Sequence, residues 1–236
     1  MDRTRAAFEP GTLYVVATPL GNLKDITLRA LEVLKNSDLI AAEDTRRTQK
    51  LLAAYDLHVP LTSYHEHNKQ AKSRVLIERL LRGEKVVLVT DGGTPGISDP
   101  GQELVRQARG AGIPISPIPG PSAVTCALSV SGMEGGAFIF LGFLPRRRSR
   151  RRRILEETAA RGRTVVLYES PYRIKKLLTE IRELLGDIDV FLTRELTKIH
   201  EELLSGTVSQ VLQGLGDKEV LGEITLILAP SEGKTP

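Results

Sequence analysis

The stretch VTDGGTPGISDPG occupies residues 89–101 and directly follows the apolar run KVVLV at 85–89. The β-branched run predicts a strand, and the four glycines, two prolines and two aspartates behind it predict a tightly turned loop. Glycine allows positive φ angles and lets a ligand approach the main chain closely. Open α/β sheets bind their ligands at the carboxyl ends of parallel strands, so we interpret this loop as part of a binding site. The alternative is a bare turn.

The composition predicts a globular protein without a membrane span or a disulfide. The chain has 236 residues, of which 41% are hydrophobic and 26% are charged, as in ordinary globular domains. No apolar run approaches the ~20 residues of a membrane helix, and the polar N-terminus lacks the apolar core of a signal peptide. The single cysteine, Cys126, excludes internal disulfides and favours a reducing cytoplasm.

The net charge of +4 conceals one concentrated cationic block. Seven of the eight residues 146–153 are arginine, and subtracting those seven charges from +4 leaves −3 for the rest of the chain. Such local charge density favours a polyanion through counterion release, so we interpret the block as an RNA or DNA contact. The alternative is a solvated, mobile segment. The seven residues are Arg146, Arg147, Arg148, Arg150, Arg151, Arg152 and Arg153.

Alternating strands and helices predict an α/β fold with a mainly parallel N-terminal sheet and a mixed C-terminal sheet. Four prolines in IPISPIPGPS (113–122) indicate a strand leading into a linker, which predicts domains at 12–117 and 118–231 and tails at 1–11 and 232–236. The predicted strands are 13–18, 38–43, 61–64, 85–90, 138–144, 164–170, 189–196, 199–207 and 222–230. The predicted helices are 26–38, 45–56, 70–83, 101–111, 121–131, 149–161 and 171–186.

Polar motifs follow the ends of further strands. EDTRRT (43–48) and LYESPYR (167–173) place carboxylates there, for which helix capping is the alternative role. In SYHEHN (63–68), two histidines without an obvious third ligand make a weak zinc motif, and we predict no metal. In PIPGPSAV (117–124), a helix start behind a turn offers N–H groups to an anion, unless the segment is only a linker. A dinucleotide fingerprint and a P-loop lysine are absent from the sequence, which argues against nicotinamide enzymes and NTPases.

The motifs quoted above are joined by VATPLGNLKDIT (16–27) and FIFLGFLPR (138–146). In the order of these motifs along its length, the chain resembles the ribosomal RNA small-subunit methyltransferase I group of the tetrapyrrole methylase superfamily. The resemblance spans roughly residues 12–229. It implies two α/β domains with S-adenosylmethionine in the cleft between them, a homodimer, and 2′-O-methylation of a cytidine ribose in the decoding region of 16S rRNA. The chain departs from the family pattern at Gly92, where alanine is expected, and in its heavier basic loop.

The resemblance also implies which residues form the site. A ribose hydroxyl is a poor nucleophile until its proton leaves, so a proton acceptor is helpful; the unranked candidates are Glu43, Asp44, His65 and Glu169. The expected substrate contacts are Arg46, Asn68 and the seven arginines. The expected cofactor contacts are Pro19, Gly21, Asp91, Gly92, Gly93, Thr94, Gly96, Ile97, Ser98, Asp99, Ser122, Ala123, Leu167, Ile224 and Thr225.

Two other functions remain open at the level of the sequence. One is a corrin-ring methylase with the same fold, against which the arginine block and the polar motifs EDTR and SYHEHN argue. The other is a non-catalytic RNA-binding assembly factor, which would not bind S-adenosylmethionine.

Overall fold

The computed structural model describes residues 9–230, so residues 1–8 and 232–236 of the two predicted tails, and residue 231, lie outside the described part. The chain divides into two compact units after Ser122, and each unit is described by itself. The proline-rich stretch contains the last strand of the first sheet before this division. The domain limits of 12–117 and 118–231 stay a prediction.

The first unit is built on a parallel five-stranded sheet of order β3-β2-β4-β1-β5. Every residue of β2 and β4 is buried, as expected for strands that are covered on both faces, and this explains why both are continuous apolar runs. The strands are β1 (Leu13–Val16), β2 (Leu39–Ala42), β3 (Leu61–Ser63), β4 (Val86–Val89) and β5 (Ile115–Ile118).

Four helices cover the two faces of this sheet, and each returns the chain from the carboxyl end of one strand to the amino-terminal end of the next. Two pack against the face that carries Val87 and Val89, and the other two pack against the face that carries Val86 and Leu88. The first pair is α1 (Leu28–Lys35) and α2 (Thr45–Ala54), and the second is α3 (Lys69–Leu81) and α4 (Gly101–Gly110). Because the strands are parallel, their carboxyl ends and the loops that follow them lie at one edge.

The second unit contains a mixed five-stranded sheet of order β6-β7-β10-β8-β9. The pair β6–β7 is parallel and the other three pairs are antiparallel, which confirms the predicted mixed sheet. The strands are β6 (Phe138–Phe143), β7 (Thr164–Glu169), β8 (Asp189–Arg194), β9 (Glu202–Thr207) and β10 (Ile224–Leu228). The helices are α5 (Ala123–Ser131), α6 (Arg148–Ala159), α7 (Ile174–Leu185) and α8 (Val208–Leu215).

Two details of the second unit differ from the sequence prediction. Helix α8 was not predicted, although Thr207 and Gln210 form a capping box at its start, a pattern that is visible in the sequence. Helix α7 begins at Ile174 and not at Pro171, because the Ser170 carbonyl accepts hydrogen bonds from the N–H groups of Arg173 and Ile174 and closes a turn there.

Candidate functional site

The loops that follow β1 and β4 are joined by backbone hydrogen bonds at the carboxyl edge of the first sheet. The N–H of Thr18 donates to the Gly93 carbonyl at 2.9 Å, and the N–H of Gly93 donates back to the Thr18 carbonyl at 2.8 Å. The Thr18 hydroxyl also donates to the Thr90 carbonyl at 3.1 Å. The glycine-rich loop is therefore held in one position by the neighbouring loop, which also carries the predicted cofactor residues Pro19 and Gly21.

Two glycines of this loop differ in their constraints, since Gly92 lies close to a neighbouring backbone and Gly93 has a positive φ angle. A Cβ atom on Gly92 would lie 3.1 Å from the Pro19 carbonyl oxygen. Gly93 has φ +90°, and a Cβ there would lie 3.3 Å from a methyl group of Leu20. The Thr94 hydroxyl donates to the Pro121 carbonyl at 3.1 Å, which joins the loop to the segment before Ser122. Within this loop Gly92 is exposed and Gly93 is buried, so only part of the loop's main chain is accessible to a ligand.

Asp91 and Asp99, the two aspartates of the loop, have different structural roles. Oδ1 of Asp99 accepts hydrogen bonds from the N–H groups of Gly96 at 2.7 Å and Gly101 at 2.9 Å. Asp99 therefore shapes the turn whose exposed tip is Ile97 and Ser98. Asp91 instead accepts a hydrogen bond from another element, because its Oδ1 lies 2.9 Å from the backbone nitrogen of Asp44.

Three carboxylates gather where β2 and β4 end. Glu43 accepts a hydrogen bond from the Thr90 hydroxyl at 2.7 Å, and Asp91 lies 3.7 Å from Nε of Arg47. Burial raises the pKa of Asp91, and the negative charge of Glu43 raises it further. Asp44 caps α2, and its hydrogen bonds with the side chain and backbone of Arg46 lower its pKa to about 2. Arg46 and Arg47 offset two of the three negative charges, so the ionised cluster keeps one negative charge, which suits a ligand of net positive charge.

We expect Asp44 and Asp91 to titrate at well-separated pH values, with Asp44 the more acidic. Since the folded-state pKa of Asp44 lies below its ordinary value of 3.8, its stabilising contribution is present above that value and is lost as the pH falls through about 2. Carbon-detected NMR of the two carboxyl groups measures both titrations. Asp44→Asn is the matched control, because asparagine keeps the helix cap while removing the acidic titration. A midpoint for Asp44 at or above that of Asp91 would contradict this expectation.

Asn68 holds the loop that follows β3. Its Oδ1 accepts from the His65 backbone N–H at 2.9 Å, and its Nδ2 donates to the carbonyl and the hydroxyl of Ser63, both at 3.2 Å. The amide of Asn68, predicted to contact substrate, is thus engaged locally. The His65 and His67 rings lie 6.0 Å apart, and residues 9–230 contain no group of three or more His, Cys, Asp or Glu side chains that could hold a metal ion.

Glu169 lies at the end of β7 and is fully enclosed by protein. Its carboxylate accepts from the Ser170 N–H at 2.7 Å and lies 3.0 Å from the guanidinium of Arg173. Burial raises the pKa of Glu169, although Ser170 and Arg173 oppose that shift. The predicted cofactor residues Leu167 and Ile224 place their side chains in the core beneath α6, α7 and α8. A ligand could therefore contact them only through the main chain.

Helix α6 places the arginines of the block in different environments. The prediction that all seven side chains can bind phosphate is wrong for Arg151, which is buried. Arg151 lies on the buried face of α6, four residues before Leu155, and its side chain is 7% exposed. Its guanidinium pairs with Glu180 of α7 and donates to the carbonyls of Pro145 and Arg146, both at 3.1 Å. The helical spacing to Leu155 and Thr158 was the sequence signal for this burial.

The other six arginines form two groups on the surface of the second unit. Arg148 and Arg152 lie 3.0 and 3.8 Å from Glu183, and Arg153 lies 3.4 Å from Glu157, so these three have carboxylate partners. The remaining three are exposed and have no carboxylate partner within residues 9–230; we call Arg146, Arg147 and Arg150 the unpaired arginines.

Residues 12–212 match the family model of the tetrapyrrole (corrin/porphyrin) methylases. The chain belongs to this family. Two solved structures, both with TM-scores above 0.6, show that the fold is shared. A uroporphyrin-III-C-methyltransferase from Thermus thermophilus has a TM-score of 0.64, is 22% identical and covers 94% of this chain and 95% of its own. The cobalt precorrin-4 methyltransferase has a TM-score of 0.67, is 19% identical and covers 93% and 95%.

Curated relatives place the chain within one branch of the tetrapyrrole methylases. A protein of Halalkalibacterium halodurans is 48% identical over 220 residues, which is 93% of this chain and 76% of the relative. One of Thermotoga maritima is 46% identical over 222 residues, which is 94% of this chain and 100% of the relative. Both are named ribosomal RNA small subunit methyltransferase I. This confirms the family, the methyltransferase class and S-adenosylmethionine as the methyl donor.

The strand-end surface of the first unit fits S-adenosylmethionine. The ligand carries a sulfonium, an ammonium and a carboxylate, hence one net positive charge, and the cluster of Glu43, Asp44 and Asp91 keeps one negative charge that Arg46 and Arg47 do not offset. Gly92 is exposed, so a ligand can approach its main chain closely, whereas Gly93 is buried against the Thr18 backbone. Among residues 9–230, no helix is both long and apolar enough to cross a membrane.

Proposed function

We propose that this tetrapyrrole methylase transfers a methyl group from S-adenosylmethionine to the 2′-oxygen of a cytidine ribose in the decoding region of 16S rRNA. The names of the curated relatives support ribosomal RNA as the substrate. The observation that carries the proposal is the set of unpaired arginines on the surface of the second unit, because cations without carboxylate partners remain available to phosphates. The single free cysteine supports a cytoplasmic location, and the resemblance supports a homodimer.

In this proposal the glycine-rich loop and the Pro19–Gly21 turn hold the cofactor at the edge of the first sheet. When bound, S-adenosylmethionine supplies a methyl group already activated by its sulfonium. The protein has to align the ribose oxygen with that group, and positioning alone can lower such a barrier substantially. The hydrogen bonds between Thr18 and Gly93 support this role, since they fix the loop before any ligand binds.

The environments of the four candidate proton acceptors favour two of them. Asp44 is a weak base, because its hydrogen bonds with Arg46 lower its pKa to about 2. Glu169 is a poor candidate, since its carboxylate is enclosed and lies beside Arg173. Glu43 and His65 are both partly exposed, but Nδ1 of His65 is buried and its Nε2 lies 3.2 Å from Nδ2 of Asn68, so we propose Glu43 as the acceptor to test first and His65 as the second.

Replacing Arg146, Arg147 and Arg150 together by glutamine should weaken RNA binding and flatten its salt dependence. Each lost contact with a single-stranded phosphate lowers the slope of log K against log salt by about 0.7, so the triple variant should lose about 2 units. Fluorescence anisotropy with a 16S fragment at several salt concentrations measures the slope. The matched control replaces Arg148, Arg152 and Arg153, which already have carboxylate partners. Equal effects of the two triple variants on RNA binding would contradict the division of these arginines into a group with carboxylate partners and a group without them.

Labelled S-adenosylmethionine and small ribosomal subunits lacking the modification test the function directly. We expect transfer of label to a ribose 2′-oxygen, located by nuclease digestion and mass spectrometry. Label on bases alone, or on an added tetrapyrrole, would overturn the proposal. Absence of S-adenosylmethionine binding in calorimetry would indicate an RNA-binding assembly factor. Sedimentation of the purified protein tests the homodimer.

A further inference from the structure

A β-bulge in β6 turns Phe143 onto the same face of the sheet as Phe140. The pairing of β6 with β7 shifts register between Phe140 and Gly142, and Gly142 has φ +60°. Side chains three positions apart on a regular strand point to opposite faces, whereas one extra residue restores a common face. Both phenylalanine rings therefore contact Tyr168, with ring centroids 5.0 Å from Phe140 and 5.7 Å from Phe143.

The three rings form a row that is buried at one end and open at the other. Phe140 and Tyr168 pack against the core that α5 covers, while Phe143 is 58% exposed at the end of its strand. Tyr172 follows β7 and is 79% exposed. The guanidinium of Arg173 donates to the Leu144 carbonyl at 3.0 Å, which joins the turn that carries Tyr172 to the segment after Phe143. Two exposed aromatic side chains thus lie on adjoining segments.

The exposed rings of Phe143 and Tyr172, which we call the aromatic surface, lie beside the segment that carries the unpaired arginines. Arg146 and Arg147 follow Phe143 by three and four residues, and Arg151 fixes that connection by donating to the carbonyls of Pro145 and Arg146. A rigid aromatic platform beside cations without carboxylate partners matches the chemistry of a nucleotide, which has an aromatic base and an anionic phosphate. A hydrophobic protein partner would not require the adjacent positive charge.

We propose that Phe143 is the platform on which an unpaired RNA base stacks, while Arg146 and Arg147 bind the flanking phosphates. This role for Phe143 rests on the proposed function, and it adds that the bound RNA is unpaired at the contact. Bases within a duplex are already stacked and present only their edges, so a side-chain platform selects a base that is unpaired. The platform therefore makes the protein prefer single-stranded or looped RNA to a duplex.

Phe143→Ala should weaken binding of a single-stranded oligonucleotide about tenfold and leave duplex binding unchanged, as expected for one lost stacking contact. The salt slope should not change, because no phosphate contact is removed. Phe143→Tyr should restore affinity, since it keeps the ring. Phe138→Ala is the matched control, because Phe138 is an exposed phenylalanine at the opposite end of β6. Equal losses for single strand and duplex, or for Phe143→Ala and Phe138→Ala, would overturn the proposal.

A fluorescent variant tests the stacking contact itself. The chain contains no tryptophan, so Phe143→Trp introduces a single reporter. Its fluorescence should be quenched when a single-stranded oligonucleotide binds and should not respond to a duplex. If Phe143→Ala changes the oligomeric state and not RNA affinity, the surface is a contact between protein copies and the proposal fails. Methyl transfer to subunits by the wild-type protein, with unchanged oligonucleotide binding by Phe143→Ala, would refute this inference alone.

Discussion

Glu180→Ala should lower the free energy of unfolding by about 3 kcal/mol or more. The side chain of Glu180 is 3% exposed and that of its partner, Arg151, is 7% exposed. Removing the carboxylate leaves the guanidinium enclosed between α6 and α7 without the group that accepts its hydrogen bonds, and a buried charge without its partner is costly. Denaturant unfolding monitored by circular dichroism measures the change.

Two further variants separate the buried ion pair from the surface charges around it. Glu183→Ala removes a carboxylate that is 50% exposed, so its effect should stay within about 0.5 kcal/mol. Arg151→Met combined with Glu180→Leu replaces both charges by apolar groups and should recover much of the loss, because no unpaired charge remains buried. If Glu180→Ala costs no more than Glu183→Ala, the pair has no structural role.

Gly93→Ala should weaken S-adenosylmethionine binding about tenfold to a hundredfold. The backbone at Gly93 has φ +90°, which an alanine adopts only with strain, and the added methyl would lie 3.3 Å from Leu20. The loop can relieve that strain by rotating, but rotation breaks the pair of hydrogen bonds with Thr18 and displaces the main chain proposed to hold the cofactor. Isothermal titration calorimetry measures the affinity directly.

Two glycine substitutions are controls for Gly93→Ala. Gly92 has no positive φ, and an added Cβ there meets the Pro19 carbonyl oxygen at 3.1 Å, so Gly92→Ala requires only a small shift and should cost less affinity. Gly110→Ala lies at the end of α4, where no atom comes within 4 Å of the new methyl, and it should leave binding unchanged. If Gly92→Ala lost as much affinity for S-adenosylmethionine as Gly93→Ala, the positive φ angle of Gly93 would not be the cause of the loss.

Local patterns were sufficient to predict most elements of both sheets. Continuous apolar runs predicted β2 and β4, because strands covered on both faces have no polar positions. Helix α8 was missed, since no element was predicted between the strands at 199–207 and 222–230. The dense glycines of residues 89–101 indicated a ligand loop, but the separate roles of Asp91 and Asp99 were not visible in their spacing.

Residues that are near one another in the chain carry the alternation of elements, the glycine-rich loop, the cationic block and the family resemblance, so all four are visible without a structure. The partners that those residues meet follow only from the folded chain. Asp91 accepts a hydrogen bond from a residue 47 positions away, and Arg151 pairs with one 29 positions away. Sheet order and helix packing bring such residues together, and burial then separates an arginine that supports the fold from neighbours that remain exposed.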